Sequence, residues 1–208
     1  MITINNILEC EQHLDMIEAV IFDLDDTLYS EKDYVRSGYR AITAAFEQVD
    51  NMEEKLWASF EKKLPAIDAV LEAEGIFDVD SKSKALQIYR HHIPSINLYF
   101  GVEQLLGRLK QTKKLGLITD GRPEGQRAKI AALGIDGYFE KIIVTDEMGG
   151  QAYRKPNEAA FLLMQQTLGV PFEKMVYIGD NPKKDFIAPG KLGMKIIYFR
   201  NKDGLYTR

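Results

Sequence analysis

Apolar residues recur along the chain in two rhythms. Short runs rich in β-branched residues stand at 19–25 (AVIFDLD), 115–121 (LGLITDG), 141–146 (KIIVTD), 174–180 (KMVYIGD) and 194–199 (MKIIYF). Each is of strand length, and their near-continuous apolar character suits strands buried on both faces. Between them lie GVEQLLGRLKQ, PEGQRAKIAAL, NEAAFLLMQQTL and PKKDFIAPGKL, whose apolar residues repeat at three and four, the helical spacing. Strand alternating with helix predicts an α/β fold with a doubly wound parallel sheet.

The alternation breaks between 31 and 97. EKDYVRSGYRAITAAFEQV, MEEKLWASFEKKLPAIDAVLEAEG and DSKSKALQIYRHHI read as amphipathic helices with no strand among them, and Pro65 is expected to kink or divide the second. Falling between the first two strands, the block predicts an inserted α-helical subdomain at 31–97. It is hinged near Ser30 and near Asn97-Leu98 on a sheet domain made of 1–30 and 98–208.

Composition narrows the function more than the fold. The 208 residues are 45% hydrophobic and 28% charged, enough for a core, and the net charge of −4 gives no footprint for nucleic acid. No apolar run approaches the roughly 20 residues a membrane span needs, and the start of the chain does not read as a signal peptide. A single cysteine, Cys10, cannot form an internal disulfide. The expectation is a cytoplasmic protein without a membrane partner.

Chemistry gathers at the strand ends, where open α/β sheets bind ligands. Asp23, Asp25 and Asp26 crowd into four positions after the first run. If that strand persists, Asp23 and Asp25 face the same side, while Asp26 turns away or caps the following helix. A close carboxylate pair divides labour, one member ionised and the other raised toward proton transfer. Thr119, Lys155, Asp180 and Asp185 would meet the pair at the same edge. Hard carboxylate oxygens with room for water suit Mg²⁺. There is no Cys/His set at zinc spacing, and neither GxxxxGK[ST] nor GxGxxG is present.

Taken in order, DLDDT, LITDG, RKP and GDNPKKD resemble the four motifs of the haloacid dehalogenase (HAD) superfamily. The likeness runs from about residue 19 onward, and the helical block resembles the C1-type cap of that superfamily. It implies a Rossmann-like core and a Mg²⁺-dependent phosphatase acting through an aspartyl-phosphate. Asp23 would be the nucleophile and Asp25 the proton donor and acceptor. Thr119 and Lys155 would bind phosphoryl oxygens. Asp23, the backbone carbonyl of Asp25, and Asp180 would hold the metal, supported by Asp185. Members that cleave carbon–halogen bonds lack an Asp two residues after the nucleophile, so Asp25 disfavours that reaction. A phosphomutase keeps this Asp and stays open as an alternative, and a receiver-like phospho-switch fits the motif order less well.

The substrate implied is a small phosphorylated metabolite, handled by a monomer or homodimer. Tyr34 and Arg36, on the first inserted helix, are candidate substrate contacts or simple packing. Arg122 either caps its loop or reaches a substrate anion. His91-His92 reads as helix-end surface and Trp57 as core. The segment before residue 19 is either a strand or helix added to the sheet edge or the remnant of a longer chain, and the sequence does not decide its role.

Overall fold

A computed structural model describes residues 1–205. In chain order its strands are β1 (Ile2–Ile4), β2 (Ala19–Phe22), β3 (Lys114–Thr119), β4 (Lys141–Val144), β5 (Met175–Gly179) and β6 (Lys195–Phe199). The α-helices are α1 (Glu31–Thr43), α2 (Met52–Glu61), α3 (Ala66–Ala73), α4 (Val79–His91), α5 (Val102–Lys110), α6 (Pro123–Leu133), α7 (Ala159–Leu168) and α8 (Ile187–Lys191). The chain divides into two compact units: Met1–Glu31 with Asn97–Arg208, and Lys32–Ile96.

The first unit is an α/β fold on a six-stranded sheet of order β1-β6-β5-β2-β3-β4, parallel throughout. Order reverses at β2: the chain runs outward through β3 and β4, then returns to β5 and β6 on the other side. All four residues of β2 are buried, and alternate ones point to opposite faces, so both faces of the sheet are covered. On one face Ile21, Ile118 and Tyr177 pack with Phe161, Met164 and Leu168 of α7. Gly116 permits this approach, since a Cβ there would stand 2.6 Å from the Met164 sulfur.

Helix α6 starts on Pro123, whose missing N–H costs nothing at a first turn, and stops at Gly134 with φ 65°. The opening segment does reach the sheet edge: β1 pairs in parallel with β6, and a 3-10 helix follows at Ile7–His13, burying Cys10.

Two sequence expectations need correcting. Strand β2 ends at Phe22 and not at Asp25, because Asp26 takes a left-handed φ of 54° that turns the chain. Strand alternation therefore does not place Asp25. The last predicted helix shrinks to α8, since residues 181–186 form a loop held by Asn181 and Asp185.

The second unit comprises α2 to α4 and nearly all of α1. Its core is Val35, Tyr39, Ile42, Phe46, Met52, Leu56, Leu71 and Ala85, with Trp57 and Phe60 partly buried against it. Pro65 stands just before α3 and separates it from α2. Among the described residues, no helix is long and apolar enough to cross a membrane.

Candidate active site

Register brings the strand ends level. Phe22 lies opposite both Leu117 and Ile178, so the residues that follow β2, β3 and β5 emerge at one edge. The Asp23 amide extends the ladder by donating to the Ile178 carbonyl at 2.8 Å. Its carboxylate accepts from Lys155 Nζ at 2.7 Å. That ammonium is fully buried, donates to the Tyr177 hydroxyl at 2.8 Å, and lies 2.9 Å from Asp185 Oδ1. A buried lysine is tolerated only when its charge is met, and here two carboxylates meet it.

Asp185 is itself fixed from below. Its Oδ2 accepts the Asn181 amide at 2.9 Å and sits against Gly179, where a Cβ would come within 2.6 Å of it. Glycine ahead of Asp180 thus opens the space that Asp185 fills. Asp180 Oδ2 is buried and has no hydrogen-bond partner among the described residues. Asp23, Asp180 and Asp185 each offer one oxygen, all within 4.8 Å of one another. Three carboxylates against one ammonium leave an excess of negative charge that a hard divalent cation would satisfy.

Asp25 is anchored on the opposite side. Its Oδ1 accepts from Lys129 Nζ at 2.7 Å and from the Tyr29 hydroxyl, and its Oδ2 accepts from Gln126 Nε2 at 2.9 Å. The same Gln126 nitrogen also donates to Thr119 Oγ1. Asp26 has the capping role anticipated for it: Oδ1 accepts the Glu31 amide at 2.9 Å at the start of α1, and Oδ2 accepts the Leu205 amide at 2.7 Å. Asp120 binds three donors, namely Thr145 Oγ1 at 3.0 Å, the Lys155 amide at 3.1 Å and Lys184 Nζ at 2.9 Å.

These environments push the carboxyls apart. Burial raises Asp23 to about 7, with Lys155 opposing and Asp185 adding to the rise. Burial, reinforced by Asp23 and Asp185, takes Asp180 up to about 9. Burial alone would lift Asp25 too, but the Lys129 charge and the hydrogen bonds from Lys129, Tyr29 and Gln126 outweigh it and hold the group low. Glu31 rises to about 8, through burial and then the Asp25 charge.

Asp23, Asp25, Lys155 and Asp180 line one cavity of about 390 Å³, together with Glu31, Asp120, Arg154, Asn181 and Lys184. Thr119 and Asp185 are buried outside that lining, joined to it through Gln126 and Lys155. Arg122 is exposed at the N-cap of α6, makes no side-chain cap and is not among the lining residues. Tyr34 and Arg36 make their ring contacts within the helical unit. Tyr34 packs against Tyr89 and His92, and the Arg36 guanidinium lies 4.0 Å over the Trp57 ring.

Sequence reasoning missed Glu31, Asp120, Arg154, Asn181 and Lys184 in the lining, and Tyr29, Gln126, Lys129 and Tyr177 behind it. Asp120 had a signal, since it ends a strand run. Gln126 and Lys129 had only a spacing of three on a helix.

The sequence profile described as "Haloacid dehalogenase-like hydrolase" matches residues 20–199. A glyceraldehyde 3-phosphate phosphatase of Methanopyrus kandleri is 29% identical over 201 residues, spanning 89% of this chain and 84% of the relative. An N-acylneuraminate-9-phosphatase of Rattus norvegicus is 24% identical over 92% of this chain and 85% of its own. Among solved structures, a HAD-superfamily hydrolase of subfamily IA from Geobacter sulfurreducens superposes with a TM-score of 0.68 at 16% identity. That match covers 89% of this chain and 88% of the other, and shares the fold.

Proposed function

Because the chain belongs to the haloacid dehalogenase-like hydrolase family, we propose that it is a phosphatase that hydrolyses a small phosphomonoester in two steps, with Mg²⁺ as cofactor. The observation that carries this reading is the buried Asp23–Lys155–Asp185 cluster beside Asp180, whose Oδ2 has no hydrogen-bond partner among the described residues.

The donor set fits a hard divalent cation: all-oxygen ligands, an excess of carboxylate, and no competing thiolate or imidazole. Asp23, Asp180 and the Asp25 carbonyl would hold it, with Asp185 behind them. When bound, Mg²⁺ would offset the negative charge shared by phosphoryl group and carboxylates.

The chain's own groups supply the rest. An Asp23 carboxylate oxygen attacks phosphorus, the bond to the leaving oxygen breaks, and an aspartyl-phosphate forms. Lys155 holds Asp23 in place and meets the charge on the phosphoryl oxygens. Asp25 passes a proton to the leaving oxygen, then takes one from the water that attacks phosphorus, which frees Asp23 and inorganic phosphate. Its three donors favour the ionised state, which suits the second step. The proton for the first step can arrive with the substrate, since a phosphate ester keeps one proton below a pKa of about 6.

The cavity suits a small substrate, and the named relatives act on phosphorylated small molecules. Glyceraldehyde 3-phosphate is the first candidate, because the Methanopyrus kandleri relative named for it matches along most of both chains. We place this work in the reducing cytoplasm, where a lone buried cysteine such as Cys10 stays a free thiol. Phosphate release over a panel of phosphomonoesters, with Mg²⁺ and then with EDTA, tests the proposal. Sustained Mg²⁺-dependent turnover supports it; no release from any member, or full activity in EDTA, defeats it.

A further inference from the structure

Helix α6 sends two polar side chains into the protein from one face. Gln126 and Lys129, three residues apart, are only 3% and 5% exposed. Both end on Asp25: Lys129 Nζ on Oδ1 at 2.7 Å and Gln126 Nε2 on Oδ2 at 2.9 Å. A carboxylate only accepts, so the nitrogen end of the Gln126 amide must face Asp25. Its second hydrogen goes to Thr119 Oγ1. One amide therefore spends both hydrogens on two residues from different strand ends. Because that Thr119 lone pair is occupied, the hydroxyl must aim its own hydrogen elsewhere. The turn makes room for this: Gly121 has φ 140°, and a Cβ there would stand 3.2 Å from the Gln126 side chain.

We propose that Gln126 and Lys129 are positioning residues, which fix the Asp25 carboxylate in one orientation and tie it to the Thr119 hydroxyl, so that proton transfer occurs at one place. This rests on the phosphatase reading above. A lysine that merely neutralised a buried aspartate would need no second donor on the other oxygen and no bridge to Thr119. Here both oxygens are bound, so the carboxylate plane is set as well as its charge.

The test compares kcat/KM for an alkyl phosphate, glycerol phosphate, with that for 4-nitrophenyl phosphate, whose leaving group needs little protonation. Lys129→Met and Gln126→Leu should each lose about 30-fold or more on the alkyl ester and only about threefold on the aryl ester, a part of the roughly 10²–10⁴-fold that general acid–base catalysis supplies. Lys129→Arg should recover most of the alkyl activity, because it restores a charged donor. Equal loss on both esters, or no loss on the alkyl ester, overturns the proposal. If Lys129→Met does not fold, Gln126→Leu carries the comparison, since it removes no charge.

Crystal structures of metal-free wild type and Gln126→Leu give a second readout that needs no turnover. A rotated Asp25 carboxylate in the variant supports the clamp, and unchanged Asp25 and Thr119 side chains overturn it. Wild type that releases phosphate from neither these esters nor any other member of the phosphomonoester panel defeats the phosphatase reading, and the crystal comparison then judges the clamp alone.

Discussion

Lys155 is the residue on which the charge balance turns. Its ammonium meets Asp23 and Asp185 in a buried position, so removing it strands two buried carboxylates. Lys155→Met should destabilise the metal-free fold by about 3–5 kcal/mol near neutral pH, as breaking a buried pair generally does. The loss should shrink toward pH 5, because protonation of Asp23, already raised to about 7, then relieves part of the stranded charge. Denaturant melts at the two pH values check both statements, and equal losses would remove Lys155 from this role. Asp23→Asn keeps the shape and deletes the attacking charge. Phosphate release should fall to background while circular dichroism stays that of wild type; more than a few per cent of residual turnover would reassign the nucleophile.

At the level of elements, the site depends on where strands stop and which turns stay bare. Gly179, the last residue of β5, leaves the space that Asp185 enters from the following loop. Gly179→Ala should push on that carboxylate, costing about 1–3 kcal/mol as overpacking does. Mg²⁺ should then be needed at higher concentration for half-maximal activity; an unchanged melting temperature and metal requirement would show that the loop simply yields. The elements themselves were largely legible, because β-branched runs of strand length alternate with three-and-four periodicity. Asp23 and Asp180 were legible as carboxylates following strands, and Lys155 through the RKP stretch. Asp25 was placed by a strand that does not reach it: a left-handed Asp26 turns the backbone, and tertiary donors from α6 then hold the side chain. Gln126 and Lys129 were not singled out in the sequence, since polar residues on a helix normally face water. Nothing local marked them as buried, as their shared partner, Asp25, lies about a hundred positions away.

For the whole molecule, the raised carboxyls couple stability to pH and metal. Asp23 at about 7 and Asp180 at about 9 both stand above the ordinary 3.8. Between those limits the folded chain keeps protons that the unfolded chain has lost, so metal-free stability should fall as pH rises from about 4 to about 9. Binding a cation displaces those protons. Mg²⁺ should therefore bind more tightly at pH 8 than at pH 6 and release protons as it binds. Thermal melts across pH with and without Mg²⁺, and calorimetry in buffers of different ionisation heat, measure both effects. A stability curve flat over this range, or binding without proton release, would contradict the charge assignment.

The three residues of β1 have a consequence of a different kind. They pair with β6, whose KIIYF stretch is apolar and β-branched and would otherwise present a row of open amides and carbonyls. Such a row templates the addition of strands from other copies. A chain trimmed to begin at residue 19 would keep every residue of the candidate site and lose its selvedge. Its failure would appear as concentration-dependent aggregation before any loss of chemistry.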